Sequence, residues 1–136
     1  MTDLFRIVCD TNVIISAALS AHSIPRKVIN TIKDRSILLV SEETTRELKD
    51  VLMRNKFDRY LSRQERIDFL KSFFSDSEYT RVHSIVTDCS DPKDYKFLEL
   101  AIDGDATHII SGDSDLLEMN PFGRIKIITP SDFLRE

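Results

Sequence analysis

The feature that most constrains this chain is the brevity of its apolar runs. Ile7-Val8-Cys9, Ile37 to Val40, His108-Ile109-Ile110 and Ile125 to Ile128 are three or four residues long, and none alternates cleanly with polar positions. Runs this short and this rich in β-branched residues read as strands. The lack of alternation places them in a sheet covered on both faces. A weaker candidate strand lies between Tyr79 and Val86.

The intervening segments carry helical spacing and helix-start chemistry. Val13 to Leu19 is apolar and Ala-rich, and Pro25 precedes Val28, Ile29 and Ile32. Ser41 offers an N-cap, and Thr44-x-x-Glu47 has the form of a capping box ahead of Leu48, Val51 and Leu52. Ser62-x-x-Glu65 opens another helix, through Ile67, Leu70, Phe73 and Phe74, which pairs with the preceding one as a hairpin. Asp91-Pro92 starts a helix buried through Phe97, Leu98, Ala101 and Ile102 and ended by Gly104. Asp115 opens a short helix through Leu117, and Thr129-Pro130 a terminal one with Phe133 and Leu134. Alternating strands and helices imply an α/β fold: a central, mostly parallel sheet of four to five strands between two helical layers. No linker interrupts 136 residues, so one domain over 1–136 is expected.

Composition narrows the function classes. No apolar stretch approaches the roughly 20 residues that span a bilayer, and no basic-then-apolar leader opens the chain, so a cytoplasmic location is expected. Cys9 and Cys89 form no CxxC pair, and His22, His83 and His108 are scattered, which speaks against zinc. A net charge of −4 argues against a surface that grips nucleic acid all over. Charge is uneven, however. Between Arg46 and Arg66 seven basic residues face four acidic ones, a local net of +3. A basic arm beside an acidic pocket suits contact with a phosphate backbone; a solvated helical hairpin of mixed charge has the same composition.

The acids that matter sit where strands end. Asp10 follows the first strand, and Asp113 and Asp115 follow the strand ending at Ile110. Asp91 and Asp94 lie in a first helical turn, and Glu47 in the helix after the second strand. Open parallel sheets bind ligands beyond the carboxyl ends of their strands, so these positions converge on one edge. Two like charges about 4 Å apart repel by roughly 4 kcal/mol at an effective dielectric near 20. Such a cluster therefore keeps protons or holds a cation. Oxygen-only ligands favour Mg²⁺ or Mn²⁺, which make hydroxide available near neutral pH and stabilise charge on phosphoryl oxygens. Each acid also has a plainer use: Asp10 and Asp91 as helix caps, Glu47 as the end of a capping box, Asp113 and Asp115 as a turn with Gly112.

Four blocks together resemble a known family. Asp10-Thr11-Asn12-Val13-Ile14-Ile15-Ser16-Ala17 resembles the opening motif of PIN-domain proteins, and Ser41 to Leu48 their second block. Cys89 to Ala101 is similar to the third, and Ser111-Gly112-Asp113-Ser114-Asp115-Leu116-Leu117 to the fourth, with Ser111 where Thr is usual. The resemblance implies a three-layer α/β/α fold and catalytic, metal-binding acids at Asp10, Glu47, Asp94 and Asp113. Asp115 matches a frequent further ligand, Asp91 a less regular one, and Thr11, Asn12 and Ser111 supporting polar positions. It implies a Mg²⁺- or Mn²⁺-dependent endoribonuclease, often a homodimer and often the toxin of a toxin–antitoxin pair, with RNA as substrate and an antitoxin as partner. Arg46, Lys49, Arg54, Lys56 and Lys93 are candidate RNA contacts. Two other readings compete. A haloacid-dehalogenase-like phosphatase needs a second Asp where this chain has Asn12. A catalytically silent protein-binding module has no need of a full set of acids.

Overall fold

A computed structural model describes residues 4–87, 89 and 91–136; Ser90, inside the third motif block, lies outside the described residues. The described chain runs β1 (Arg6–Cys9), α1 (Thr11–Leu19), α2 (Ile24–Arg35), β2 (Ile37–Val40), α3 (Glu42–Leu52), α4 (Arg63–Ser75), β3 (Ser77–Tyr79), α5 (Tyr95–Asp103), β4 (His108–Ile110), α6 (Ser114–Leu117), β5 (Lys126–Ile128) and α7 (Pro130–Leu134). All four strand pairings are parallel, in the order β3-β2-β1-β4-β5. The expected α/β sandwich is therefore present, with five strands.

The unalternating strands bury both faces. Ile7, Cys9, Leu38, Val40 and Ile110 pack with Ile14, Val28, Leu48 and Phe73 from α1 to α4. Val8, Leu39, Ile109 and Ile127 pack on the other side with Phe97, Leu98 and Ala101 of α5 and Leu116 of α6. A fully buried Leu or Ile contributes about 1.5–3 kcal/mol, so two such cores hold the central strands firmly. The chain moves outward from β1 to β3, then returns to place β4 on the free side of β1. The order reverses between β1 and β4, and a crevice opens there beyond their carboxyl ends.

Four local expectations change. The third strand is Ser77–Tyr79 rather than the stretch to Val86. The later residues are held by side chains instead: the Asp103 carboxylate accepts from the His83 and Ser84 amides at 2.7 and 2.8 Å, and Glu99 accepts from Val86 N at 3.0 Å. The box that opens α3 joins Ser41 to Thr44, not Thr44 to Glu47, because Ser41 is the residue with extended backbone geometry. Glu47 is thereby released from capping. Asp91-Pro92 opens a 3-10 turn over Pro92–Asp94, and α5 proper begins at Tyr95. Gly104 does end α5, but with φ −92 rather than a left-handed turn. A Cβ there would lie 2.8 Å from Leu39 Cδ1 and 3.0 Å from Leu100 O, so glycine lets the helix end press onto β2. Asp105 takes the positive φ, +52.

Candidate active site

Asp10 stands at the end of β1, where its amide donates to Ile110 O at 3.1 Å and so ties it to the end of β4. The plainer use foreseen for it is real: Oδ1 accepts from Val13 N at 2.9 Å and caps α1. Its Oδ2 accepts from the hydroxyl of Ser111, which is fully buried. The same Ser111 oxygen accepts from the Asp113 amide at 2.9 Å. One hydroxyl thus binds Asp10 to the loop that carries Asp113, across 101 residues of sequence. Asp113 in turn caps α6, its Oδ1 accepting from Asp115 N at 3.1 Å.

Asp94 completes the group. It occupies the N-cap position of α5 yet makes no capping hydrogen bond. Its residue is 4% exposed, and among the described residues its Oδ2 has no hydrogen-bond partner. The group beside it is the Asp113 carboxyl, another acceptor. Burial first, then Asp113, and then the charges of Asp91 and Asp10, push the Asp94 carboxyl up to about 7. Burial also raises Asp10, although Ser111, Val13, and Gly112 lower it in part. The thiol of neighbouring Cys9 is pushed up by burial and by Asp10, and stays an inert core group.

Glu47 lines the same cleft but is held differently. Its Oε1 accepts from the Thr11 hydroxyl, and its Oε2 pairs with Lys96 Nζ at 2.9 Å. Lys96, whose side chain is only 10% exposed, escaped the sequence reading. A lysine two residues past an acid carries no periodic signal, and nothing in the chain points it back towards α3.

The cleft, about 590 Å³, is lined by Asp10, Thr11, Asn12, Glu47, Asp94 and Asp113 together with Arg54, Lys56, Phe57 and Lys93. Asp91 and Asp115 are not among its lining residues; oxygens of Asp91, Asp94 and Asp115 lie within 4.8 Å of one another, so Asp94 belongs to both groups. Asp91 also caps the 3-10 turn and pairs with Lys93 Nζ at 3.4 Å, and that contact raises the Lys93 pKa. Of the five candidate RNA contacts, Arg54, Lys56 and Lys93 reach the cleft. Arg46 pairs with Glu42 at 2.8 Å, and Lys49 lies over the Phe74 ring at 5.4 Å; both line a groove near β3 instead. Phe57 is half-buried at the cleft wall, whereas Tyr60 is exposed.

Hard oxygens around a buried carboxylate with no donor are what a divalent cation needs. Asp94 is the specific point of fit: among the described residues its Oδ2 has no hydrogen-bond partner, and a retained proton or a cation would satisfy it.

Comparison with known proteins gives matches of three kinds: to a family, to a related sequence and to solved structures. Residues 6–115 match the PIN domain family. An uncharacterized protein of Methanocaldococcus jannaschii is 30% identical over 141 residues, covering 96% of this chain and 90% of the relative. Among solved structures, PAE2754 from Pyrobaculum aerophilum superposes with a TM-score of 0.66 at 15% identity, covering 96% of this chain and 88% of that one. VapBC2 from Rickettsia felis, bound to a DNA fragment from their promoter, superposes with a TM-score of 0.63 at 10% identity, covering 92% and 98%.

Proposed function

The chain belongs to the PIN-domain family, and from that premise we propose that it is a divalent-metal-dependent endoribonuclease acting as one nuclease domain over 1–136. The observation that carries the reading is the buried Asp94 oxygen, without a hydrogen-bond partner among the described residues, set in a cleft with Asp10 and Asp113. These three acids would hold Mg²⁺ or Mn²⁺, with Asp91 and Asp115 behind Asp94. When bound, such an ion would stabilise charge on phosphoryl oxygens and lower the pKa of water, so that hydroxide is available as the nucleophile near neutral pH.

The rest of the work falls to the chain's own groups. Ser111 fixes the spacing of Asp10 and Asp113. Arg54, Lys56 and Lys93 offer cations to the RNA backbone along the cleft wall, and Phe57 a ring edge beside them.

The toxin role rests on the small stand-alone subgroup that the four motif blocks resemble, and on the fold shared with VapBC2. Homodimerisation, an antitoxin partner and a cytoplasmic location follow from the same subgroup. Among the described residues no helix is long and apolar enough to cross a membrane. RNA processing outside a toxin pair is the second reading, since the site chemistry is the same for both.

Labelled RNA incubated with the purified protein tests the activity. Cleavage is expected with Mn²⁺ or Mg²⁺ and not with chelator, and Asp10→Asn is expected to abolish most of it. Equal cleavage by wild type and Asp10→Asn, or cleavage indifferent to metal, overturns the assignment.

A further inference from the structure

Resting on the metal-site reading above, we infer that Lys96 stands in for a second cation: its ammonium holds Glu47 from the adjoining cavity, so the site binds one divalent ion, with Glu47 outside its ligand shell.

The two sides of the cleft are provisioned unequally. Asp94 has a buried oxygen with no hydrogen-bond partner among the described residues. Both oxygens of Glu47 are taken, one by the Thr11 hydroxyl and the other by Lys96 Nζ at 2.9 Å. Both oxygens of Asp10 are engaged as well, so what sets Glu47 apart is charge: among the described residues it alone of the four acids has a side-chain cation within ion-pair distance.

Lys96 is built into place. Its side chain is 10% exposed. Its ammonium also donates to the Lys93 carbonyl and lies 5.2 Å from the Phe97 ring centre. One carboxylate, one backbone carbonyl and an aromatic face hold the charge. The approach is from behind: Lys96 lines the neighbouring cavity beside Arg81 and Glu99, not the acid cleft itself. Glu47 lines the acid cleft and Lys96 the neighbouring cavity, and their ion pair links the two. A dication placed against Glu47 would meet the Lys96 ammonium, 2.9 Å from the carboxylate and mostly buried, whereas the lysine beside Asp94, Lys93, is exposed and already paired with Asp91. Lys96 is therefore a positioning residue that acts through Glu47.

The test is Mn²⁺ binding measured without turnover. Calorimetry and Mn²⁺ anomalous scattering from soaked crystals are applied to wild type and to Lys96→Met, which keeps the apolar stem over Phe97 and removes the charge. One Mn²⁺ per chain is expected for wild type, beside Asp94, with the Glu47–Lys96 pair intact. Two are expected for Lys96→Met, the second on Glu47. Two ions in wild type, or a Glu47 carboxylate that leaves Lys96 to ligate the first ion, overturns the inference while leaving the nuclease reading intact. So does a single ion in Lys96→Met, even one bound more tightly, because that is what loss of a positive charge alone would do. Absence of Mn²⁺ uptake by wild type defeats both the metal-site reading and this inference. The wild-type crystal decides the matter even if the variant does not fold.

Discussion

Arg66 and Asp94 are buried to almost the same depth, 2% and 4% exposed, and their surroundings differ completely. Arg66, in α4, donates to Leu52 O and Arg54 O at 3.1 Å each and pairs with Asp58 at 2.5 Å. It stitches the loop after α3 onto α4, and its hydrogen-bonding capacity is spent inside the fold. Asp94 has an oxygen left over and like charges beside it. A buried charge with its partners supplied by the fold is a structural device. One without them is unstable by design and waits for something from outside.

The comparison breaks most sharply in activity. Asp113→Asn should lower RNA cleavage by on the order of 100- to 1000-fold, the scale for loss of one preorganised electrostatic group, with little change in urea stability. Arg66→Ala should do the reverse. It strands two backbone carbonyls and deletes a packed stem, a cost of about 2–4 kcal/mol, while cleavage per folded molecule stays near wild type. If Asp113→Asn unfolds the protein, or Arg66→Ala abolishes cleavage in the folded fraction, the division between the two regions is wrong.

A finer cut falls on Ser111. Removing its hydroxyl frees Asp10 from Asp113 without touching either acid. Outer-shell partners of this kind are worth tenfold to about 100-fold in metal affinity, so Mn²⁺ titration of Ser111→Ala should show weakening in that range. Ser111→Thr, which keeps the oxygen, should recover most of it. Equal weakening in both variants would mean that packing, not the hydroxyl, is what matters at this position.

The same contrast explains how much was readable beforehand. Strand ends are set by apolar runs, so Asp10 and Asp113, next to those ends, stand out in the sequence, and the resemblance of the four motif blocks singled out Glu47 and Asp94 with them. The fold followed from the same runs, with β3 the exception. Ser77-Glu78-Tyr79 is a three-residue edge strand paired only to β2, and it needs no apolar run because one side of it faces no partner. Partnership was the illegible part. Whether Glu47 caps a helix or faces a cleft turns on whether Ser41 or Thr44 starts α3, a one-turn decision. That Asp94 caps nothing depends on the 3-10 turn displacing the start of α5 to Tyr95. Lys96 meets Glu47 only because two helices cross.

The smallest effect is a slope of stability with pH, and it isolates Asp94 from the other charges. An aspartate in an unfolded chain loses its proton near pH ~4, whereas burial and Asp113 hold the native Asp94 carboxyl at about 7. Below the first value both states are protonated there and the group is neutral in its effect. Between the two, the native state keeps a proton that the unfolded state has given up, so each rise in pH favours unfolding. Above about 7 the native carboxylate is ionised too, and the loss levels off. Metal-free protein should therefore melt at a lower temperature at pH 7.5 than at pH 5.5. Asp94→Asn, which cannot ionise, should flatten that difference. Saturating Mn²⁺ should oppose it as well, because the ion binds the ionised carboxylates and stabilises the native state that holds them. A metal-free protein whose melting temperature climbs from pH 5.5 to 7.5 by the same amount with and without Asp94→Asn would mean that Asp94 finds a partner in solution. The contrast with Arg66 would then be lost.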